Sequence, residues 1–271
     1  MSVQTDRVAR FRELHRPGQP LLMPNPWDPG SARLLASLGF EALATTSSGF
    51  AGTLGRLDGS VTRAQALGHA AAIAAATDLP VSADLENGFA ETIDGVAETA
   101  TGAVDAGLAG FSIEDYTGDD AAPIYPLEAA VQRVAAAVEV AHGGEAQLVV
   151  TARAENYLHG NPDLGDTLAR LQAYEQAGAD VLYAPGLTTA EEIGAVVGAV
   201  QLPVNVLARP GVPSVGELAA LGVSRISVGG AFAFVATAAV VEAARELREQ
   251  GTYRYAAASA DGVRAARAAF G

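Results

Sequence analysis

The chain alternates, eight times in succession, a short apolar segment with a longer alanine-rich segment of helical character. This alternation predicts a parallel α/β sheet, because each parallel strand needs a helical crossover to reach the next one. Eight such units are the number that closes a (β/α)8 or TIM barrel. The predicted strands are 21–24, 42–45, 81–84, 110–114, 148–152, 180–184, 203–207 and 225–228, and the predicted helices are 30–38, 63–77, 92–106, 127–142, 165–177, 190–200, 214–221 and 231–250.

Length and composition favour a single domain, residues 1–271. Hydrophobic residues make up 49% and charged residues 18%, which suits a large core and disfavours disorder. No linker or change of composition divides the chain. The tail, residues 252–271, holds one more predicted helix at 256–269, which has nothing obvious to pack on beyond a closed barrel. We therefore expect the tail to contact a neighbouring subunit.

Charge and missing residue types exclude several function classes. The net charge of −14 and pI near 4.6 argue against nucleic acid or an anionic membrane as partner. The chain has no cysteine, which excludes thiol nucleophiles, thiolate metal sites and disulfides. All 17 basic residues are arginines, so Schiff-base and P-loop lysines are excluded as well. Neither an apolar leader nor a membrane-length apolar run is visible, and we expect a cytoplasmic protein.

Acidic residues stand where predicted strands end. Asp84 and Glu86 follow the third strand, and Glu114 and Asp115 follow the fourth. In a barrel these ends share one face, where carboxylates can converge only around a cation or a proton. Oxygen ligands favour Mg²⁺, with Mn²⁺ possible. A helix N-cap cluster is the alternative, but it suits Glu91 better than Asp84, and Asp115 could be only a loop residue.

Other candidates for binding an anionic substrate follow the second, fifth and seventh strands. Arg153 either pairs structurally with Glu155 or binds a substrate carboxylate in a bidentate manner, and both possibilities remain open. The segment Thr46, Ser47 and Ser48 offers hydroxyl and backbone N–H groups to a carboxylate or oxyanion, or is a simple βα turn. Asn205 follows the seventh strand and is a further substrate-binding candidate.

Proton donors are harder to choose. His159 lies in the loop after Arg153, and Tyr116 and Tyr125 lie in the loop after the fourth strand, so each could supply a proton. Asp58, taken alone, has the surroundings of a turn aspartate. Asp28 is placed to cap the first barrel helix.

In this order, the residues resemble the isocitrate lyase / phosphoenolpyruvate mutase superfamily over roughly residues 20–230. The resemblance implies a barrel whose last helix is swapped between subunits, in a homodimer or homotetramer. It also implies that Asp84 binds Mg²⁺ directly, that Asp58, Glu86 and Glu114 bind it through water, and that Thr46 and Ser47 bind a 2-oxo acid together with Arg153. The segments that carry it are 25–32, the Thr-Ser-Gly loop with Leu54, Gly55 and Asp58, the Asp84/Glu86 pair, 113–115 and 152–155.

The loop at 116–126 departs from the resemblance. It lacks the Lys-Lys/Arg-Cys-Gly-His motif of isocitrate and methylisocitrate lyases, and also the lysines and asparagine of phosphonomutases. The part that still resembles the family is the core of the site, which would bind a 2-oxo acid and stabilise its enolate with a metal.

We predict a Mg²⁺-dependent lyase, decarboxylase or hydrolase that cleaves a C–C bond. Its substrate would be a small 2-oxo acid or 2-hydroxy dicarboxylate, oxaloacetate-like or methylisocitrate-like. The catalytic candidates are Arg153, Glu114, His159 and Tyr116. The alternatives are a P–C bond enzyme (a phosphonopyruvate hydrolase or phosphoenolpyruvate mutase relative), a catalytically silent oxo-acid-binding barrel and, more distantly, a ketopantoate hydroxymethyltransferase.

Overall fold

A single parallel sheet of eight strands runs through the computed structural model, which describes residues 2–271. Strands adjacent in the chain pair from β2 to β8, β8 pairs with β1, and a backbone hydrogen bond from Ala44 N to Pro24 O (3.1 Å) joins the two remaining edges. The predicted (β/α)8 barrel is confirmed. The strands are β1 Leu21–Met23, β2 Leu43–Ala44, β3 Val81–Asp84, β4 Gly110–Glu114, β5 Val149–Arg153, β6 Val181–Tyr183, β7 Val204–Leu207 and β8 Arg225–Ser227.

Within the described residues, eleven helices accompany these strands. Their ends lie within two residues of the predicted ones wherever a helix was predicted. Two helices were not predicted, α1 and α3. They are α1 Val3–Glu13, α2 Pro29–Ser37, α3 Ser47–Thr53, α4 Arg63–Ala75, α5 Ile93–Asp105, α6 Leu127–Gly143, α7 Leu164–Gln176, α8 Ala190–Ala199, α9 Val215–Ala220, α10 Ala231–Gln250 and α11 Ala256–Phe270.

Side-chain caps fix where several barrel helices begin. Asp28 accepts a hydrogen bond from Ser31 N, and the Ser31 hydroxyl accepts one from Asp28 N, which confirms the predicted cap of α2. Such boxes satisfy backbone N–H groups that the first helical turn leaves without partners. The same device begins α4, α8 and α9, through the pairs Thr62–Gln65, Thr189–Glu192 and Ser214–Glu217.

Helix α1 lies against the N-terminal end of the barrel. Its buried residues Val8 and Phe11 join the core, and the Phe11 ring packs close to Gly110 at the start of β4. Only two of its eleven residues are buried, and the segment is otherwise polar. The weak apolar pattern explains why the sequence gives little sign of this helix.

The last two helices do not cover the barrel in the usual way. Helix α10 exposes Phe234, Val235 and Val240, and Leu22 of β1 is 42% exposed, where a barrel helix would ordinarily cover it. Helix α11 packs on α2 of the same chain, with Phe270 beside Gly30. The expectation that the tail has no partner within the chain is therefore wrong, while exchange of a helix between subunits is not confirmed. None of the helices in residues 2–271 has the length and apolar character needed to cross a bilayer.

Candidate active site

A cavity of about 280 Å³ opens at the C-terminal ends of the strands. It is smaller than typical pockets for drug-sized ligands, about 300–1,000 Å³. Residues from all eight strands or the loops after them line it, and the five predicted substrate-binding residues are all among them. The lining includes Asn25, Thr46, Ser47, Ser48, Asp58, Asp84, Arg153, Leu158, Tyr183, Pro185, Asn205, Leu207, Arg225, Ser227, Gly229 and Gly230.

Arg153 lies in the cavity wall and binds three carboxylates. Its Nη1 is 3.0 Å from Asp84 Oδ1 and 3.1 Å from Glu114 Oε2, and its Nη2 is 2.7 Å from Glu155 Oε1. Burial disfavours the charge of Arg153, but Glu114, Glu155 and Asp84 outweigh it and raise its pKa. The predicted pairing with Glu155 is thus present, and Arg153 still lines the cavity. Both interpretations of this residue are compatible with the structure.

Negative charge exceeds positive charge around this arginine. Burial, together with Asp84 and Asp58, raises the pKa of Glu86 to about 8. Burial also raises the pKa of Glu114 well above its ordinary value, with a further contribution from Glu155. One arginine cannot neutralise the whole cluster, so the cluster suits an additional cation. The carboxylates concerned are Asp58, Asp84, Glu86, Glu114 and Glu155.

Glu86 carries the clearest indication of a metal ligand. Its Oε1 is buried and has no hydrogen-bond partner, which is costly unless a cation, proton or water meets it. The backbone of Glu86 is left-handed (φ 47°), a conformation uncommon outside glycine, and its carbonyl oxygen accepts a hydrogen bond from Glu114 N at 2.9 Å. These features hold the side chain between β3 and β4.

The donor set fits a hydrated cation better than a fully protein-bound one. Among residues 2–271, no three acidic or histidine side chains come together closely enough to form a metal cage by themselves. Mg²⁺ commonly keeps several waters and takes only one or two carboxylates. The all-oxygen set around Asp84 therefore fits Mg²⁺ held partly through water, as the resemblance implies. Direct binding by Asp84 remains a prediction.

The segment after β2 is more than the simple turn that was the alternative. Thr46 caps the short helix α3, and its hydroxyl lies 3.2 Å from that of Ser48. Ser47 N donates to Asp84 Oδ2 at 3.2 Å. Burial raises the pKa of Asp58, and the Ser47 side chain opposes that rise. The segment thus connects the predicted anion-binding hydroxyls to two of the predicted metal carboxylates.

Comparison with known proteins decides the family. The family model for phosphoenolpyruvate phosphomutase matches residues 11–248. The chain belongs to this family. The prediction of the isocitrate lyase / phosphoenolpyruvate mutase superfamily is confirmed, and with it the class of metal-dependent lyases and mutases.

Individual relatives support the same placement. A crystal structure from Burkholderia cenocepacia J2315, described as a lyase or mutase, is 52% identical, with a TM-score of 0.95 over 98% of this chain and 97% of that one. Oxaloacetate decarboxylase 1 of Pseudomonas putida is 28% identical and aligns over 89% of this chain and 84% of its own length. 2-Methylisocitrate lyase of Halalkalibacterium halodurans is 29% identical over 74% and 67%.

Tyr116 and His159, which were predicted as acid–base residues, lie beside the cavity and are not part of its lining. The rings of Tyr116 and His159 stack at 3.8 Å, and the Tyr116 hydroxyl donates to Asp120. His159 Nε2 is 3.8 Å from Glu155 Oε2, and burial lowers the pKa of His159. The stack ties the loop at 116–126 to the loop after β5. Catalytic roles for Tyr116 and His159 remain predictions.

Asp115 is not the plain loop residue that was considered possible. It is buried and accepts hydrogen bonds from Glu155 N (2.7 Å), Arg170 Nη1 (3.0 Å) and Tyr174 Oη (2.6 Å). Asp115 thereby holds the backbone of Glu155, whose side chain forms an ion pair with Arg153. Arg170 and Tyr174 stand four residues apart on α7, a spacing that places both on one helix face and could have indicated a shared partner.

A buried arginine that sequence reasoning missed holds the loop after β3. Arg133 on α6 donates to the carbonyl oxygens of Asn87 (2.5 Å), Ala90 (2.6 Å) and Glu91 (3.4 Å). Its guanidinium lies 4.4 Å from the centre of the Tyr125 ring. Arg133 therefore joins the segment that begins with Glu86 to the base of the loop at 116–126. Nothing in the local sequence of α6 predicts this contact between Arg133 and the loop after β3.

Proposed function

We propose that this enzyme is a Mg²⁺-dependent lyase that removes CO₂ from a small 2-oxo dicarboxylate, with oxaloacetate the simplest case. The observation that carries the proposal is the cluster at Arg153, where one guanidinium binds three carboxylates and still lines a small cavity. Such a cluster supports a dication beside an anion-binding arginine. The relationship to oxaloacetate decarboxylase 1 of Pseudomonas putida points to the same chemistry.

The proposed role of each group of site residues follows from its chemistry. Bound Mg²⁺ would supply positive charge beside the substrate oxygens as the C–C bond breaks. Asp84 would hold the cation directly, while Asp58, Glu86 and Glu114 would hold its water shell. Arg153, with the groups of 46–48, would orient the carboxylate next to the ketone.

The rest of the lining favours loss of CO₂. Leu158, Pro185 and Leu207 give the cavity an apolar section. Poor solvation of a carboxylate there favours its conversion to neutral CO₂. The cationic side chains that line the cavity within residues 2–271 are Arg153 and Arg225. This modest positive charge favours a dicarboxylate over a tricarboxylate or a phosphonate with an additional carboxylate.

A homodimer or homotetramer is part of the proposal. The apolar face of α10 and the exposed Leu22 of β1 are surfaces that a second copy of the chain would cover. We propose that α10 and α11 lie at this contact. Light scattering at low protein concentration would test it, since a monomer would refute it.

The test is Mg²⁺-dependent release of pyruvate from oxaloacetate. Wild type is expected to be active with Mg²⁺ and inactive with excess chelator, and Asp84→Asn is expected to lose activity in both conditions. Asp105→Asn, an exposed carboxyl on α5, is the matched control and should behave as wild type. Full activity of wild type in chelator, or of Asp84→Asn, would refute the proposal.

Two further assays separate the alternatives. Phosphonopyruvate followed by ³¹P NMR would reveal a P–C bond enzyme. Calorimetry with Mg²⁺ and oxalate, an enolate analogue, would show whether the site binds at all. Tight oxalate binding with no product from a panel of 2-oxo acids would favour the silent oxo-acid-binding barrel.

A further inference from the structure

A buried arginine lies along the barrel axis without a carboxylate partner. Arg225 at the start of β8 is 3% exposed and lines the cavity. Its guanidinium hydrogen-bonds to Asn205 Oδ1 (2.9 Å), Thr151 Oγ1 (3.0 Å) and His15 Nε2 (3.1 Å). All three partners are neutral, since burial, with Arg225 beside it, lowers the pKa of His15 to about 3. Arg225 is thus a buried donor that organises neutral groups.

This donor sets the direction of a chain of hydrogen bonds. Arginine can only donate, so the Asn205 amide must turn its oxygen towards Arg225. The Asn205 Nδ2 then donates to Ser227 Oγ at 3.0 Å. Ser227 Oγ accepts this bond, so the hydroxyl hydrogen of Ser227 remains available for donation to another group. Burial raises the pKa of Tyr183, and the Ser227 side chain opposes that rise, as a neighbouring donor does.

Like Ser227, Tyr183 lines the cavity. This residue ends β6, is 7% exposed, and lies beside Arg153, whose guanidinium carbon is 5.2 Å from the ring centre. Burial raises the pKa of Tyr183 to about 12, so the hydroxyl is protonated at neutral pH. A hydrogen bond from Ser227 to the Tyr183 oxygen would leave the Tyr183 hydrogen free to point towards a ligand in the cavity.

We propose that Tyr183 is the catalytic proton donor of this site, and that Arg225, Asn205 and Ser227 are positioning residues that direct its O–H bond into the cavity. The inference rests on the proposed decarboxylation. It also gives Asn205, a predicted substrate-binding residue, a different role, since both ends of its amide are bound within the protein.

The bond between C3 and C4 of oxaloacetate breaks, C4 leaves as CO₂, and the electron pair forms the C2–C3 double bond of the enolate. The Tyr183 O–H bond then breaks as a C–H bond forms at C3, giving pyruvate and a phenolate. The transfer runs downhill, because the methyl group of pyruvate is a weaker acid than a phenol. Water returns the proton to Tyr183 when the product leaves.

The test compares Tyr183→Phe with wild type and with a matched control. Tyr157→Phe also deletes one tyrosine hydroxyl, which hydrogen-bonds to Glu192 and does not line the cavity. Tyr183→Phe is expected to lower kcat for oxaloacetate by about 100-fold or more, as loss of a general acid does. Tyr157→Phe should stay close to wild type. Calorimetric affinity of Tyr183→Phe for oxalate with Mg²⁺ should change less than tenfold, which shows an intact site.

A stereochemical readout separates proton donation from a structural role. Decarboxylation of 3-methyloxaloacetate in deuterium oxide gives 2-oxobutanoate with one deuterium at C3. A fixed donor delivers that deuterium to one face, so wild type should give one stereoisomer. Tyr183→Phe should give a mixture, because solvent then delivers the deuterium from both faces.

Three outcomes would overturn the inference. A Tyr183→Phe variant that keeps its kcat excludes donation. A slow variant that still labels one face shows that another group donates and that Tyr183 only positions. Loss of oxalate binding in parallel with kcat shows a role in ligand binding alone. If wild type binds oxalate and Mg²⁺ but releases no CO₂, the proposed function has failed, and the inference falls with it.

Discussion

Replacing Glu86 with glutamine should stabilise the metal-free protein at neutral and higher pH. The pKa of Glu86 rises from 4.5 to about 8 in the folded protein, because of burial first and then of Asp84 and Asp58. Between these values the folded state holds a proton that the unfolded state has released. The free energy of unfolding therefore falls as pH rises through this window. Glutamine cannot ionise and removes this loss.

The size of the effect follows from the shift. A rise from 4.5 to about 8 corresponds to roughly 5 kcal/mol, at about 1.4 kcal/mol per pKa unit. Water reaches part of the side chain, and effective dielectric constants in proteins are high, so we expect about 2 kcal/mol.

Urea denaturation in chelator from pH 5 to pH 9 measures this difference. Wild type should lose about 2 kcal/mol more than Glu86→Gln across that range. Glu139→Gln, an exposed carboxyl on α6, should follow wild type. Parallel curves for wild type and Glu86→Gln would refute the electrostatic reasoning.

Bound Mg²⁺ should make the ionised form of Glu86 favourable, whereas that form destabilises the metal-free protein. Binding of Mg²⁺ at pH 7 should therefore release close to one proton from Glu86. Calorimetry in buffers of different ionisation enthalpy counts the released protons. Glu86→Gln should release about one fewer and bind Mg²⁺ more weakly. Equal proton release would show that Glu86 does not face the cation.

Two other changes test parts of the molecule away from the carboxylates. Arg133→Met removes the hydrogen bonds that hold the carbonyls of the loop at 87–91, so Mg²⁺ affinity measured by calorimetry should fall about 10-fold, as for other partners that orient metal ligands. Affinity equal to wild type would show that this loop holds its shape without Arg133. Deleting residues 252–271 should lower the oligomer mass measured by light scattering, and a soluble oligomer of unchanged size would contradict the predicted subunit contact.

Regular alternation made most of the barrel predictable. All eight strands lie within one residue of their predicted ends, because each is a short apolar run bounded by glycine, proline or polar residues. Helix α3 was not predicted, since it spans only seven residues, three of them glycine or serine in the first turn. Helix α1 was missed because its packing depends on Phe11 meeting the barrel end, a contact distant in sequence.

The carboxylates of the site could be predicted for a related reason. Asp84 and Glu114 occupy strand ends, and the barrel topology alone brings such positions to one face. Nothing in the sequence indicated the chain of hydrogen bonds through Arg225, Asn205 and Ser227. Its members lie inside strands β7 and β8, and His15 reaches it from α1, so only the closed barrel brings them together.

The absence of lysine sharpens the electrostatics of this site. Arginine is the sole source of strong positive side-chain charge in the chain, and Arg153 already serves three carboxylates. The remaining negative charge is relieved in part by a proton on Glu86, whose pKa is raised to about 8. A dication would replace that proton, so its affinity should rise with pH while the metal-free fold weakens. Stability and metal binding are then linked with opposite dependence on pH, and the stabilisation that Mg²⁺ gives should grow from pH 6 to pH 9. A stabilisation independent of pH would mean that the cation binds elsewhere.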